Sequence, residues 1–559
     1  MKYVAALAGI LTLAWLLPLG PLSGGTQVAM AASSCGIPDI AVGQTDVAPG
    51  AFNPADTSLS RCVSTTAREL NAYSSGAGVY NVKHFGARCN GEADDTSAIQ
   101  RAERAAADAG HGTVYIPPGR CVISTGIAWD SNVNLVGSGM FRSTLAASSD
   151  FDYDSRNVRK GPDGRYVGML WLDGPSETAP LSHVRVSDLG FDPRAGTQAI
   201  WENRNRGQFK YEAVSSYMRA LQHVTFENLY FNLGFNSSNY IGVNDGPKGF
   251  TAFTLKVATD CNNPSYDISF DNIVGHNGDG TIQLSASDPP TRRCTNVTKL
   301  SNVRIDGVAD FVDGRYIDDD RIVVGGSGVA TSETSDVTIS NVQTFVFDGV
   351  TGGVNAIKIQ PGNTGTIHGV KIENVRYRGS GSGQYGSPIP AYDADGSGAP
   401  LAVMGNARNG AVNDVTVSNI TATNSMGLGL AIKANALSGG IARLTVDRVS
   451  MHNCYATGAA FLPAFFSDPT GQDQVRISNV TIQAAPIALT RGHPIGFMIR
   501  GYRGMNGAIG TFVVSGVSVS GYQTPVYVAP GPSFSNLVME HVTWDSGRVR
   551  LPPSVRFSP

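Results

Sequence analysis

The sequence predicts an all-β solenoid of stacked parallel coils, and three observations carry that prediction. The chain has 559 residues, 42% hydrophobic and 16% charged, which is enough apolar chain for a large core. Its 66 glycines and scarcity of helix-forming runs are the composition of a turn-rich β protein. One six-residue phrase then recurs: "VRVSDL", "VTFENL", "ISFDNI", "TKLSNV", "VTISNV", "VKIENV", "VTVSNI", "LTVDRV", "VRISNV", "FVVSGV" and "LVMEHV". Eleven rows of one design imply neighbours stacked along one axis.

Taken in chain order, the first element is a targeting leader over 1–32. Lys2 precedes the apolar run "VAALAGILTLAWLLPLG", and the small-residue site "AMAAS" follows. Pro18 and Pro21 break the run, so export to the periplasm or medium is expected rather than a membrane anchor. No later segment has the apolar length to span a bilayer. A net charge of -3 with no basic block excludes nucleic acid and anionic membrane surfaces as main partners. Residues 33–78 carry no periodicity and read as an irregular extension. A single solenoid domain is expected over 79–559.

The next element opens with "NVKHFGARCNGEADDTSAIQRA". From Thr96, the residues Ala98, Ile99, Ala102, Ala106 and Ala109 recur at helical spacing before Gly110, which predicts an amphipathic helix of about 14 residues. Asp94 or Asp95 falls at its N-cap, where a carboxylate accepts hydrogen bonds from unpaired amides. The adjacent carboxylates therefore read as structural. Cys89 and Cys121 bracket this helix and its returning strand, and a disulfide between them is expected. Cys35 with Cys62 and Cys261 with Cys294 are the next natural pairs, leaving Cys454 as a buried thiol. No cysteine spacing matches a zinc site.

This stretch, continuing through "GHGTVYIPPGRCVIS" and "NLVGSGM", resembles the N-terminal module of the pectate-lyase-like superfamily of right-handed parallel β-helices. The resemblance implies a right-handed parallel β-helix whose short helix covers the open end. Hydrolases, lyases, epimerases and phage tailspikes share the fold, so function must come from the site.

In the coils, the fifth residue of the phrase falls at Asp188, Asn228, Asn272, Asn302, Asn341, Asn374, Asn419, Arg448, Asn479, Gly516 and His541. Asparagine and glycine tolerate a left-handed backbone, so this position reads as a bend, with asparagines placed to bond from coil to coil. Before most phrases lies another strand, including "GTIQLSAS", "DRIVVGGSG" and "NAIKIQPG". If Ile282, Ile322 and Ile357 point inward, Asp279 and Asp319 take equivalent outward positions, with Gln283, Arg321 and Lys358 on the same face. Two carboxylates at the strand spacing of about 4.8 Å disfavour joint ionisation, the splitting that a general acid needs. Read structurally, "NGDG" is a turn, and "DDD" at Asp318 to Asp320 is a solvated loop or a calcium ligand set.

The arrangement also resembles polygalacturonase-type glycoside hydrolases, with "NGD" ending at Asp279, "DDD" over Asp318 to Asp320 and "AIK" ending at Lys358. No Gly-His-Gly follows the aspartates and Ala356 stands in place of an arginine; His276 is the spatial substitute to look for. The resemblance implies a secreted glycoside hydrolase without a cofactor, acting on a polysaccharide. Asp319 or Asp320 would be the general acid, Asp279 would share activation of water, and Arg321 and Lys358 would bind the sugar. The alternative is a lyase or C5-epimerase in which Lys358, Arg321 or His276 takes the proton beside a uronate carboxyl and the aspartates hold calcium. A non-catalytic exopolysaccharide-binding protein is the third reading.

Overall fold

The computed structural model describes residues 78–151, 166–172, 179–194, 210–216, 220–233, 253–257, 262–278, 280–284, 297–313, 320–325, 332–347, 354–361, 365–379, 401–405, 410–425, 430–434, 441–454, 459–462, 474–486, 495–499, 508–530 and 533–559. The leader, the extension up to residue 77 and Cys35, Cys62, Cys261 and Cys294 lie outside the described residues.

Among the described residues every strand pairing is parallel, and the strands form one 18-stranded and one 12-stranded sheet. In the 12-stranded sheet, which runs from Ile127–Ala128 to Thr524–Val528, each strand between these two ends pairs with the one a coil before and the one a coil after. This is the right-handed parallel β-helix. The described apolar residues form one core running from Val82 to Val542. Like side chains stack inside it, with ring centroids 5.0 Å apart for Phe226 and Phe270 and 5.1 Å for Phe191 and Phe231. Each inward Val, Ile or Phe that is fully buried contributes about 1.5–3 kcal/mol.

The helix spans Thr96–Asp108 and buries Ala98, Ile99, Ala102 and Ala106, while Ala109 is exposed. It packs on Val79–Asn81 and Gly112–Tyr115 of the first turns. Asp95 stands at the N-cap, but the capping bonds come from its neighbour. The Asp94 carboxylate accepts the Thr96 amide at 3.0 Å and the Ser124 hydroxyl at 2.7 Å. The Asp95 carboxylate instead turns back to the amides of Arg88 at 2.7 Å and Cys89 at 3.0 Å, fixing the segment before the helix. Cys89 and Cys121 are bridged, with Cα atoms 3.8 Å apart, as expected. Cys454 is buried and unbridged, and burial pushes its thiol up to about 12.

All eleven bend positions have left-handed backbones. Side-chain bonds link them between coils: Asn228 donates to Asp188 at 3.0 Å, Asn272 to Asn228 at 2.8 Å and Asn419 to Asn374 at 3.1 Å. One row corrects the expectation. Ile268 pairs with Val303, so the residue stacked on Asn272 is Gly307, at φ 69°, and not Asn302. Asn302 belongs to a second left-handed column five residues earlier, which includes His183, His223, Asp267, Asp336, Gly369, Asp414 and Arg443. Each of these coils therefore bends twice, and the long strand is three short ones.

Candidate active site

The inward register is as expected. Ile282 pairs with Ile322 and Ile322 with Ile357, and all three are fully buried. Alternation then puts Gln283, Val323 and Lys358 side by side on the outward face of the 12-stranded sheet. Two residues before the isoleucines, and in their phase, the buried Asp320 pairs with the buried Asn355 at the starts of their strands.

These positions create an ion pair across two coils. The Lys358 ammonium donates to Asp320 Oδ2 at 2.7 Å, and Asn355 Nδ2 donates to Oδ1 at 2.6 Å. The Asp320 side chain is 6% exposed and that of Lys358 20%. A charge-assisted bond in so dry a place is among the strong ones, and it ties the partly exposed lysine to the preceding coil. Asn355, missed in the sequence, shares its strand position with Asp320, which is the signal that could have found it.

Arg321 is a correction. Alternation puts it on the side opposite Ile322, as expected, but its side chain has no exposure and cannot meet a sugar. The corner that ends the preceding coil folds over it. Its guanidinium donates to the carbonyl of Gly278 at 2.5 Å, that of Asn277 at 2.7 Å and the Thr281 hydroxyl at 3.2 Å. Its Nε lies 3.6 Å from Asp310 Oδ1, and Asp310 is itself fully buried and bonded by the Thr281 hydroxyl. Burial raises the Asp310 carboxyl further than Arg321 and Thr281 pull it down.

His276 is also enclosed, at 5% exposure, with Nε2 3.0 Å from Asp313 Oδ1. Asn277 and Asp313 bond reciprocally: Asn277 Nδ2 donates to Asp313 Oδ1 at 2.7 Å, and the Asp313 amide to Asn277 Oδ1 at 3.0 Å. Asp310 and Asp313 were missed by sequence reading, although acids spaced through the apolar run "VADFVDG" are a visible anomaly. Gln283 is half-buried and its amide oxygen has no hydrogen-bond partner among the described residues.

Asp279 and Asp319 lie outside the described residues. The structure therefore brings Asp320, Lys358 and Asn355 together and sets Arg321 and His276 beneath the surface. Both Asp320 oxygens accept N–H donors, which is a poor donor set for calcium. Cys89, Asp95 and Cys121 converge, but the sulfurs are bridged and the carboxylate holds two amides, so that cluster offers no metal site.

Residues 79–285 match the family described as rhamnogalacturonase A/epimerase, pectate lyase-like, so the pectate-lyase-like resemblance stands. Mannuronan C5-epimerase AlgE2 of Azotobacter vinelandii is 40% identical over 107 residues, which is 17% of this chain and 11% of that protein. Alginate lyase 7 of the same organism is 36% identical over 107 residues, covering 17% of this chain and 12% of the other. The chain thus spans about a tenth of the length of the curated relatives it matches. Among solved structures, an exopolygalacturonase from Thermotoga maritima is similar at a TM-score of 0.46 and 12% identity, over 83% of this chain and 91% of that one.

Proposed function

We propose that the chain acts on a uronate-containing polysaccharide by moving the proton at carbon 5 of the sugar. The reaction would take place on the outward face of the 12-stranded sheet around Lys358. The observation that carries the reading is the Lys358–Asp320–Asn355 group, a cation held in place on neighbouring coils and 20% exposed. A uronate C5 proton is acidic only when the adjacent carboxylate is neutralised, because the carbanion-like transition state puts charge on those oxygens. In this reading Lys358 neutralises the carboxylate, and Asp320 and Asn355 are positioning residues that fix its ammonium. Once a base has taken the C5 proton, loss of the 4-linked sugar as its protonated hydroxyl gives elimination, and return of a proton to the opposite face gives epimerisation. The sequence similarity to a mannuronan C5-epimerase and an alginate lyase supports this class of substrate.

Glycoside hydrolysis by Asp279 with Asp319 or Asp320 is the second reading. It is favoured by the pairing of Ile282 with Ile322, since each aspartate lies three residues before its isoleucine. The leader-like sequence and the Cys89–Cys121 bridge support export. The continuous described core supports one β-helix domain over 79–559.

One polysaccharide panel tests both readings, run in heavy water with and without chelator. Elimination yields new reducing ends and ultraviolet-absorbing unsaturated uronide. Epimerisation yields neither but places deuterium at carbon 5. Hydrolysis yields reducing ends alone, and that result would overturn the uronate proton-transfer reading.

A further inference from the structure

A separate concentration of positive charge lies four coils before Lys358. Asp192 ends the Leu181–Asp192 strand with a side chain only 4% exposed. Its Oδ2 accepts from Arg120 Nη1 at 2.6 Å and Arg194 Nη2 at 2.7 Å. Its Oδ1 accepts from Arg194 Nε at 2.8 Å and the Arg194 amide at 3.2 Å. Burial would raise this carboxyl, but the two arginines hold it below the ordinary carboxylate range. Two guanidiniums thus share one sequestered carboxylate, and the group carries one surplus positive charge. What faces water is the cationic part, since the Arg120 side chain is 39% exposed and that of Arg194 50%.

The geometry of the fork indicates what would bind. Arg194 meets Asp192 side-on, through Nε and Nη2, which leaves the Nη1 end of its planar fork with no partner among the described residues. That edge has the geometry for a second carboxylate. The surplus is local, because the whole chain is at -3. Elsewhere on the surface Arg304 lies between two carboxylates, those of Asp271 and Asp306.

Position ties the pair to the candidate site. Asp192 follows Ala146 in one column of stacked residues; Phe191 pairs with Phe231 and Asn232 with His276, so the same column continues from Asp192 to the corner beneath that site. At about 4.8 Å per coil, four coils separate Arg194 from Lys358 by about 19 Å along the axis, and Arg120 reaches the same carboxylate from two coils earlier. We infer that Arg120 and Arg194 form a distal subsite for one carboxylate of a polyuronate chain whose other residues lie over Lys358. The inference rests on the uronate reading above.

The test is calorimetric binding of a mannuronan decamer and a mannuronan disaccharide to the full chain. Arg194→Gln should weaken the decamer about tenfold, the loss of one charge-assisted contact, and leave the disaccharide unchanged. Arg194→Lys should recover only part of the loss, because an ammonium lacks the fork. Arg304→Gln should bind as the wild type does. Asp192 keeps Arg120 in the Arg194 variants, and unchanged circular dichroism and urea midpoints check the fold. Equal decamer affinity in Arg194→Gln and wild type overturns the subsite alone, as does an equal loss for both ligands. A wild type that binds neither uronate oligomer, while retaining a neutral glycan, overturns the uronate reading and the subsite with it.

Discussion

Replacing Gly307 with asparagine should stabilise the solenoid. Gly307 occupies the bend column at φ 69°, stacked between Asn272 and Asn341. A Cβ at this position would meet the Asn272 backbone nitrogen at 3.4 Å and its Cα at 3.6 Å, which are ordinary contact distances. Asparagine tolerates the left-handed backbone, and its amide can donate to Asn272 Oδ1 as Asn272 donates to Asn228 at 2.8 Å. One such bond contributes about 1 kcal/mol. Removing glycine's freedom from the unfolded chain adds about 0.4–1 kcal/mol, offset by the residual left-handed cost, so the net gain is about 1 kcal/mol. Alanine gains the same unfolded-state term but suffers the full left-handed penalty of about 1 kcal/mol and makes no bond, so the two variants should differ by about 1–1.5 kcal/mol. A long repeat array need not unfold in one step, so the assay is amide exchange across 300–312 together with the urea midpoint. An asparagine variant no better protected than the alanine variant would refute the ladder argument.

Further outcomes follow from the site and its surroundings. Lys358→Ala should weaken polyuronate binding more than tenfold, the cost of a lost contact to a charged group, while binding of a neutral glycan stays the same in calorimetry. Asp279→Asn and Asp319→Asn, assayed on the true substrate, should abolish turnover under the hydrolase reading and reduce it little under the proton-transfer reading. Arg321→Ala leaves Asp310 buried without its cation and two carbonyls without their donor; a loss of about 3–5 kcal/mol is expected from the urea midpoint. Burial, with the charge of Asp130, raises the Glu103 carboxyl from 4.5 to about 7. The folded state therefore binds this proton more tightly than the unfolded one, and the resulting stability is full below about pH 4.5 and lost as pH rises through about 7. Glu103→Gln should flatten that fall and be the more stable protein at pH 8, read by urea midpoints across pH.

Much of the fold was legible in the sequence because the coil is a repeated solution to one packing problem. Strand alternation aligned Ile282, Ile322 and Ile357 correctly, since each isoleucine must enter the same core. The bend column was visible because its residues are mostly of one type. Asn302 was misplaced for a related reason: coils vary in length, the phrase around Asn302 looks like its neighbours, and the true partner of Asn272 is a glycine in "VRIDGV". The second column, which mixes His, Asp, Asn, Gly and Arg, shares a backbone angle and not a side-chain chemistry, so no pattern announced it.

The candidate site divides along the same line. The sequence by itself determined the strand and the side of the sheet on which Arg321 and Lys358 stand, because period-two alternation is a local property of the chain. Only the tertiary structure decided their depth. Arg321 is covered by the carbonyls of Asn277 and Gly278, one coil earlier and more than forty residues away, and Lys358 finds its carboxylate on a neighbouring coil 38 residues before it. Burial and charge pairing are made by groups that meet only when coils stack, and the spacing of those meetings is set by loop lengths that vary from coil to coil.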